Sequence, residues 1–197
     1  MTEDLETIQV YEKRAADYVK LGPNQSETLR LNAFIASLST SAVVLDYGCG
    51  PGHAAAAMDR AGLSVDAMDA SREMVRMCSE YQGINVMHRR FDQFDAENRY
   101  DGIWASFSLL HAQKSEFPAL LAAIRKALKP TGQFWIGMKL GSGEARDKLG
   151  RFYAYYTQGE LETHLTNARF SISEVETGTS KGLAGSVDPH IAISAHA

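Results

Sequence analysis

Residues 43–52 read Val43-Val44-Leu45-Asp46-Tyr47-Gly48-Cys49-Gly50-Pro51-Gly52, and this stretch decides the fold. An apolar run ends in an acid, Asp46. Glycines follow at alternate positions, 48, 50 and 52, and an alanine-rich stretch over 54–57 comes next. This is the layout of a strand that turns tightly into a helix beneath a bound nucleotide. Glycine lets the backbone bend and approach a ligand with no Cβ in the way. The plain alternative is a strand-to-helix connection that binds nothing. A second acid speaks for the ligand: Asp69 ends the next apolar run, 64–68, about 20 residues on, where a ribose-binding carboxylate belongs.

Outward from this stretch, strands and helices alternate. Strands are expected over 42–46, 64–68, 84–87, 102–105 and 133–138, and helices over 54–60, 72–80 and 118–128. Lys129-Pro130-Thr131-Gly132 reads as a turn. A polar loop follows over 141–150. A helix starting at Thr157 carries Glu160 three residues on as a capping box. Two last strands, 170–177 and 188–195, read as a hairpin. Upstream, Ile8, Tyr11, Ala15 and Tyr18 share one helix face, Gly22-Pro23 stops that helix, and a second helix over 26–37 buries Leu31, Phe34, Ile35 and Leu38. The expected architecture is a single α/β domain over 1–197. It is Rossmann-like and doubly wound, with a mostly parallel seven-stranded sheet, an antiparallel last strand and a helical cap over 1–38.

Composition narrows the class. The 197 residues are 45% hydrophobic, enough for one sizeable core, and the net charge of −4 argues against a broad phosphate-binding face. Arg89-Arg90 reads as a solvated strand edge, so no nucleic acid partner is expected. No apolar run approaches a membrane span, and the acidic N-terminus lacks the apolar centre of a secretion signal, so a cytoplasmic protein is expected. Cys49 and Cys78 are the only cysteines. They make no disulfide framework and have no metal-ligand spacing, so no metal is expected.

The loop spacing separates two ligands. Dinucleotide folds use G-x-G-x-x-G, whereas residues 46–52 read D-x-G-x-G-x-G. That pattern resembles the first motif of the class I S-adenosylmethionine (SAM) dependent methyltransferases. Asp69-Ala70-Ser71-Arg72-Glu73-Met74 resembles the family's D-x-S-x-x-M, whose Met packs on adenine. Phe91-Asp92 stands where the family places an acid against the adenine amino group, with Asp95 as a rival. Tyr100-Asp101-Gly102-Ile103 and Leu128-Lys129-Pro130-Thr131-Gly132 resemble its fourth strand and its L-K-P-G-G turn, with Thr131 replacing a glycine. Residues 100–111 and 150–157 look like bacterial small methyltransferases of the tellurite-resistance-like group, a likeness that transfers no substrate.

The resemblance implies SAM as cofactor and S-adenosylhomocysteine as product. It implies a cofactor site of Asp46, Gly48, Gly50, Gly52, Asp69, Ser71, Met74 and Asp92, with Tyr11, Cys49, Ala70, Phe91 and Ser106 alongside. Cys49 on its own reads as a small residue filling a tight turn. Methyl transfer from a sulfonium is an in-line displacement, so positioning matters most and a base is needed only for a weakly acidic acceptor. His111, six residues past the fourth expected strand, is the candidate base, and the alternative is a packing histidine. Arg14, Tyr18, Arg151 and Tyr153 are candidates for the acceptor pocket, with Tyr11 and Tyr18 on a lid. A small-molecule acceptor is expected, because Ala105-Ser106-Phe107-Ser108 stands where DNA and glutamine amino-methyltransferases carry Asn/Asp-Pro-Pro-Tyr. The rival readings are an NAD(P)-dependent oxidoreductase and a non-catalytic SAM-binding regulatory protein. Monomer and homodimer both remain open, with the tyrosine-rich stretch 152–156 either a dimer contact or a pocket wall.

Overall fold

The computed structural model describes residues 4–197. Asp4 opens the first helix, α1 (Leu5–Leu21), by accepting the Thr7 N–H at 2.9 Å. Inside α1, Arg14 leaves helical geometry (φ −116°, ψ 15°), so the helix is two pieces joined by a kink. A capping box between Asn24 and Glu27 starts α2 (Gln25–Ala36). The alternation then runs β1 (Val43–Tyr47), α3 (His53–Arg60), β2 (Ser64–Asp69), α4 (Arg72–Cys78), β3 (Ile84–His88), β4 (Tyr100–Ser106), α5 (Phe117–Ala127) and β5 (Leu128–Lys139). After it come β6 (Glu144–Arg146), β7 (Phe152–Ala154), α6 (Gln158–Asn167), β8 (Ser171–Lys181) and β9 (Val187–His196).

Seven strands form one sheet in the order β3-β2-β1-β4-β5-β9-β8. β1 to β5 pair in parallel, and β9 runs antiparallel to both β5 and β8. This is the expected doubly wound sheet. Two local features differ from expectation. The stretch read as a polar loop contains β6, which pairs antiparallel with β7 as a separate two-stranded ribbon. The expected turn over 129–132 is a bulge inside β5: Tyr100 pairs with Leu128, but Gly102 already pairs with Gln133.

Both faces of the sheet are covered, as a parallel sheet requires. Alternating strand residues point to opposite sides. On one face Leu45, Ile103, Ile136 and Ile193 join Leu121 and Ile124 of α5 and Leu161 and Leu165 of α6 in one apolar cluster. On the other, Val44, Val65, Trp104 and Trp135 join Phe34 of α2 and Ala55 and Met58 of α3. Trp104 stacks on Trp135 with ring centroids 3.8 Å apart, and Phe34 leans on Trp104. β1 has β2 on one side and β4 on the other. The chain order reverses there, which opens a crevice at the carboxyl ends of these strands.

Candidate active site

At that crevice the chain leaves β1 through the glycine loop. The N–H groups of Gly48 and Cys49 both donate to the Met68 carbonyl at 2.9 Å, tying the loop to the end of β2. Gly48 has φ 81°, and a Cβ there would lie 2.3 Å from Ser108 Cβ, so no other residue fits. Asp46, buried beneath the loop, accepts the Ala55 N–H at 3.0 Å and so caps α3, whose first position, Gly52, has no side chain to do it. Burial, reinforced by the charge of Asp69, pushes Asp46 up to about 7 against the pull of the Ala55 hydrogen bond.

Asp69 links the loop to α4. One carboxylate oxygen accepts the Gly50 N–H and the other the Ser71 N–H, both at 2.9 Å. Ser71 in turn accepts the Met74 N–H at 3.2 Å as the cap of α4. Burial raises Asp69 above the ordinary carboxylate range. Neither Asp46 nor Asp69 forms an ion pair among the described residues.

These residues border a cavity of about 70 Å³ that is partly open to solvent. Gly48, Gly50, Asp69, Ala70, Ser71, Met74 and Phe91 line one end, and Ser106, Phe107, Ser108 and His111 line the floor beyond β4. α1 lies across the opening and contributes Asp4, Thr7, Ile8, Tyr11 and Tyr18. The Tyr18 ring sits over the glycine loop, since a Cβ on Gly50 would lie 3.6 Å from Tyr18 Cε1. Its edge meets the Tyr11 ring at 5.7 Å.

His111 ends a single 3-10 turn, Leu109–His111, after β4. Its Nδ1 lies 2.7 Å from the Phe152 carbonyl, which can only accept, so Nδ1 carries the proton. Nε2 therefore accepts from the Tyr11 hydroxyl at 2.9 Å. Burial lowers His111 to about 4; the Phe152 hydrogen bond opposes this, and the charges of Arg151 and Lys139 add to it. The imidazole is neutral at neutral pH. Behind Tyr11, buried Arg151 holds Asp147 through Nε at 3.0 Å and Nη2 at 2.6 Å, and its Nη1 donates to the Tyr11 hydroxyl at 2.9 Å.

The cavity thus brings together Tyr11, Tyr18, Gly48, Gly50, Asp69, Ala70, Ser71, Met74, Phe91, Ser106 and His111. Other sequence candidates stand outside its lining. Asp46 and Gly52 support the loop from below. Cys49 is buried, with its thiol toward the Gly50 carbonyl at 3.5 Å. The Asp92 carboxylate turns to Arg90 at 3.1 Å, and Asp95 pairs with Lys126. Arg14 pairs with Asp17 at the surface. Tyr153 packs under His111, ring to ring at 4.7 Å, with the Lys139 ammonium 4.2 Å over its own ring. Tyr153 and Tyr156 are buried inside the chain, while Phe152 and Tyr155 are partly exposed.

Sequence reasoning missed Asp4, Thr7, Ile8, Phe107 and Ser108 as lining residues. Asp4 carried a signal, an acid one residue ahead of an amphipathic helix. Phe107 carried none: its positive φ of 52° is a property of the folded turn. Among the described residues no cluster of His, Cys, Asp and Glu has metal-binding geometry, and no helix is long and apolar enough to cross a membrane.

The fold is that of the class I methyltransferases. Residues 44–132 match the family model for a methyltransferase domain. No curated protein matches the chain. Among solved structures, a Burkholderia thailandensis 1,6-didemethyltoxoflavin-N1-methyltransferase with bound 1,6-didemethyltoxoflavin and S-adenosylhomocysteine is similar, with 23% identity and a TM-score of 0.72 over 95% of this chain and 87% of that one. A putative methyltransferase from Bacillus halodurans C-125 is 15% identical with a TM-score of 0.73, covering 87% of this chain and 98% of that one. The [4+2]-cyclase SpnF is 18% identical with a TM-score of 0.77, covering 100% of this chain and 97% of its own. The family match covers residues 44–132, and the structural neighbours share the fold across most of the chain. They give no support to an oxidoreductase or to a non-catalytic SAM-binding protein.

Proposed function

We propose that this chain is a SAM-dependent methyltransferase with a small-molecule acceptor. The observation that carries the reading is the joint opening of Gly48, Gly50 and Asp69 into one cavity at the carboxyl ends of β1, β2 and β4. The donor set suits the cofactor. Asp69 is acceptor-only and offers two oxygens to a vicinal diol. Two buried carboxylates that lack a cation suit a positively charged ligand. Met74 and Phe91 supply apolar contact for adenine, and the glycines leave room for the methionine portion. When bound, the cofactor supplies an already activated methyl group.

The chain's own residues then position and exclude. Tyr11 and Tyr18 close α1 over the cavity and keep water out. Ser106, Phe107 and His111 hold the acceptor at the end of β4, and Arg151 and Tyr153 support them from behind. A cavity partly covered by α1 suits a small-molecule acceptor. The Burkholderia neighbour, which binds a small heterocycle in a similar fold, supports this. A place in the tellurite-resistance-like group rests on residues 100–111 and 150–157 and carries no acceptor with it. A cytoplasmic protein free of nucleic acid partners completes the reading, consistent with the net charge of −4.

Titration of SAM, S-adenosylhomocysteine and NADH into the protein tests the reading. SAM and S-adenosylhomocysteine should bind and NADH should not. Asp69→Asn, which removes the charge and keeps the shape, should weaken SAM by about 10- to 100-fold. Binding of NADH in preference to SAM would overturn the proposal. Because a cyclase shares the fold, S-adenosylhomocysteine release on an acceptor screen is the readout that identifies methyl transfer.

A further inference from the structure

The acceptor end of the cavity has an unusual balance of charge. Among the described residues, the only carboxylates that line the cavity are Asp4 and Asp69, and no lysine or arginine lines it. Asp4 is held by both Nη atoms of Arg146, and Asp69 belongs to the cofactor end. The two cations nearest His111 are committed elsewhere: Arg151 to Asp147 and the Tyr11 oxygen, and Lys139 to Asp188 at 2.5 Å. An anionic acceptor would find no counterion here, and a cationic one at this end would meet only Asp4, whose charge Arg146 already neutralises. What the site does offer is one oriented acceptor. Nδ1–H of His111 is fixed on Phe152, so the Nε2 lone pair points at the Tyr11 hydroxyl. Tyr11 belongs to the lid, not to the floor. Beside His111 stands Phe107, held at φ 52°, with its N–H on the Gly137 carbonyl at 3.0 Å and its ring edge-on to His190. A non-glycine residue in that conformation costs energy and tends to mark a functional wall.

We propose that the acceptor is an uncharged, flat conjugated molecule that presents a ring N–H or phenolic O–H to His111 Nε2, in the place the Tyr11 hydroxyl holds. The inference rests on the methyltransferase reading and deepens it. As the methyl group passes to the heteroatom, its bond to sulfur breaks and its bond to the heteroatom forms. The heteroatom's proton moves to Nε2, and the imidazolium later returns it to solvent. A buried imidazole flanked by Arg151 and Lys139 is a weak base, so it serves acceptors whose X–H is already acidic through conjugation and not aliphatic alcohols.

Calorimetry on the full chain saturated with S-adenosylhomocysteine tests this with four probes. They are lumazine, which is neutral with ring N–H groups; 1,3-dimethyllumazine, which lacks them; lumazine-6-carboxylate, an anion; and tryptamine, an aromatic cation. At slightly acidic pH, lumazine should bind about 10-fold or more tighter than each of the others, the worth of one oriented hydrogen bond. His111→Ala should abolish that preference with S-adenosylhomocysteine affinity unchanged. His111→Gln, which keeps an acceptor oxygen, should retain part of it. Tyr11→Phe, which removes the competing hydroxyl, should not weaken lumazine. Equal binding of the dimethyl probe, preference for either charged probe, binding of none of the four, or a preference that survives His111→Ala overturns the inference. Failure of S-adenosylhomocysteine itself to bind would instead overturn the cofactor reading, and this inference with it.

Discussion

Thr131 holds φ 65°, a left-handed conformation that a branched Cβ resists. It sits in the bulge that feeds β5, where its N–H donates to the Ala197 carbonyl and Gly132 accepts the Ala197 N–H. The backbone is therefore pinned by the chain's end, and the side chain bears the strain. Thr131→Gly should stabilise the protein by up to about 1 kcal/mol, read as a higher urea midpoint with an unchanged slope. A lower midpoint would mean that the Thr131 side chain contributes more than its backbone costs. This position was legible in the sequence, because Lys129-Pro130-Thr131-Gly132 carries threonine where a turn wants glycine. Asp46 was legible in place but not in task. Its spacing from the glycines marks the loop, yet only the fold shows its carboxylate capping α3.

α1 is fastened along its first half. Arg146 at the end of β6 grips Asp4 at 2.9 and 2.6 Å, and the Phe152 N–H at the start of β7 donates to the Thr7 hydroxyl at 2.8 Å. Arg151, between the two strands, grips Tyr11. Past Tyr11, Glu12 accepts the first N–H groups of α4 from Arg72 and Glu73. The lid is thus latched to the β6–β7 ribbon. Replacing Arg151 by Met removes one partner of a buried pair and leaves Asp147 uncompensated, which costs about 3 to 5 kcal/mol. The expected outcome is faster proteolysis within the first 24 residues together with weaker SAM binding. The double variant Arg151→Met with Asp147→Asn should recover most of the stability but not the affinity. If the single variant cleaves no faster than the parent, Arg151 does not hold the lid. The helix itself could be read from Ile8, Tyr11, Ala15 and Tyr18, but its latch could not. β6 is three exposed residues, Glu144-Ala145-Arg146, with no apolar alternation, and its pairing with β7 spans a turn that only tertiary contacts define.

Over the whole molecule, strand order followed from the alternation of elements, whereas charge balance depends on burial and could not be read from the sequence. Two buried groups act on stability in opposite directions over one pH range. His111 falls from its ordinary value of 6.5 to about 4 on folding. Between those values the unfolded chain binds more protons, so this contribution rises with pH and is complete above the upper one. Asp46 rises from 3.8 to about 7. There the folded chain binds more protons, so its contribution falls as pH rises through the window, and the raised Asp69 acts in the same sense. Each shift corresponds to on the order of 3 to 4 kcal/mol, so the two largely cancel and the parent should show a shallow profile from about pH 4 to 7. Asp4, held near 2 by the Arg146 hydrogen bond, and Glu160, likewise near 2 through the Thr157 N–H, lose their contributions only at lower pH. Separating the pair exposes each slope. In urea titrations across this range, Asp46→Asn should gain stability relative to the parent as pH rises, because Asp69 alone is left to oppose the histidine. His111→Gln should become less stable as pH rises, because the aspartates are left to be ionised in a dry site. A cationic ligand beside Asp46 and Asp69 should flatten the His111→Gln profile by keeping both carboxylates ionised. Parallel profiles for the parent and both variants would show that neither group carries the protonation change on folding.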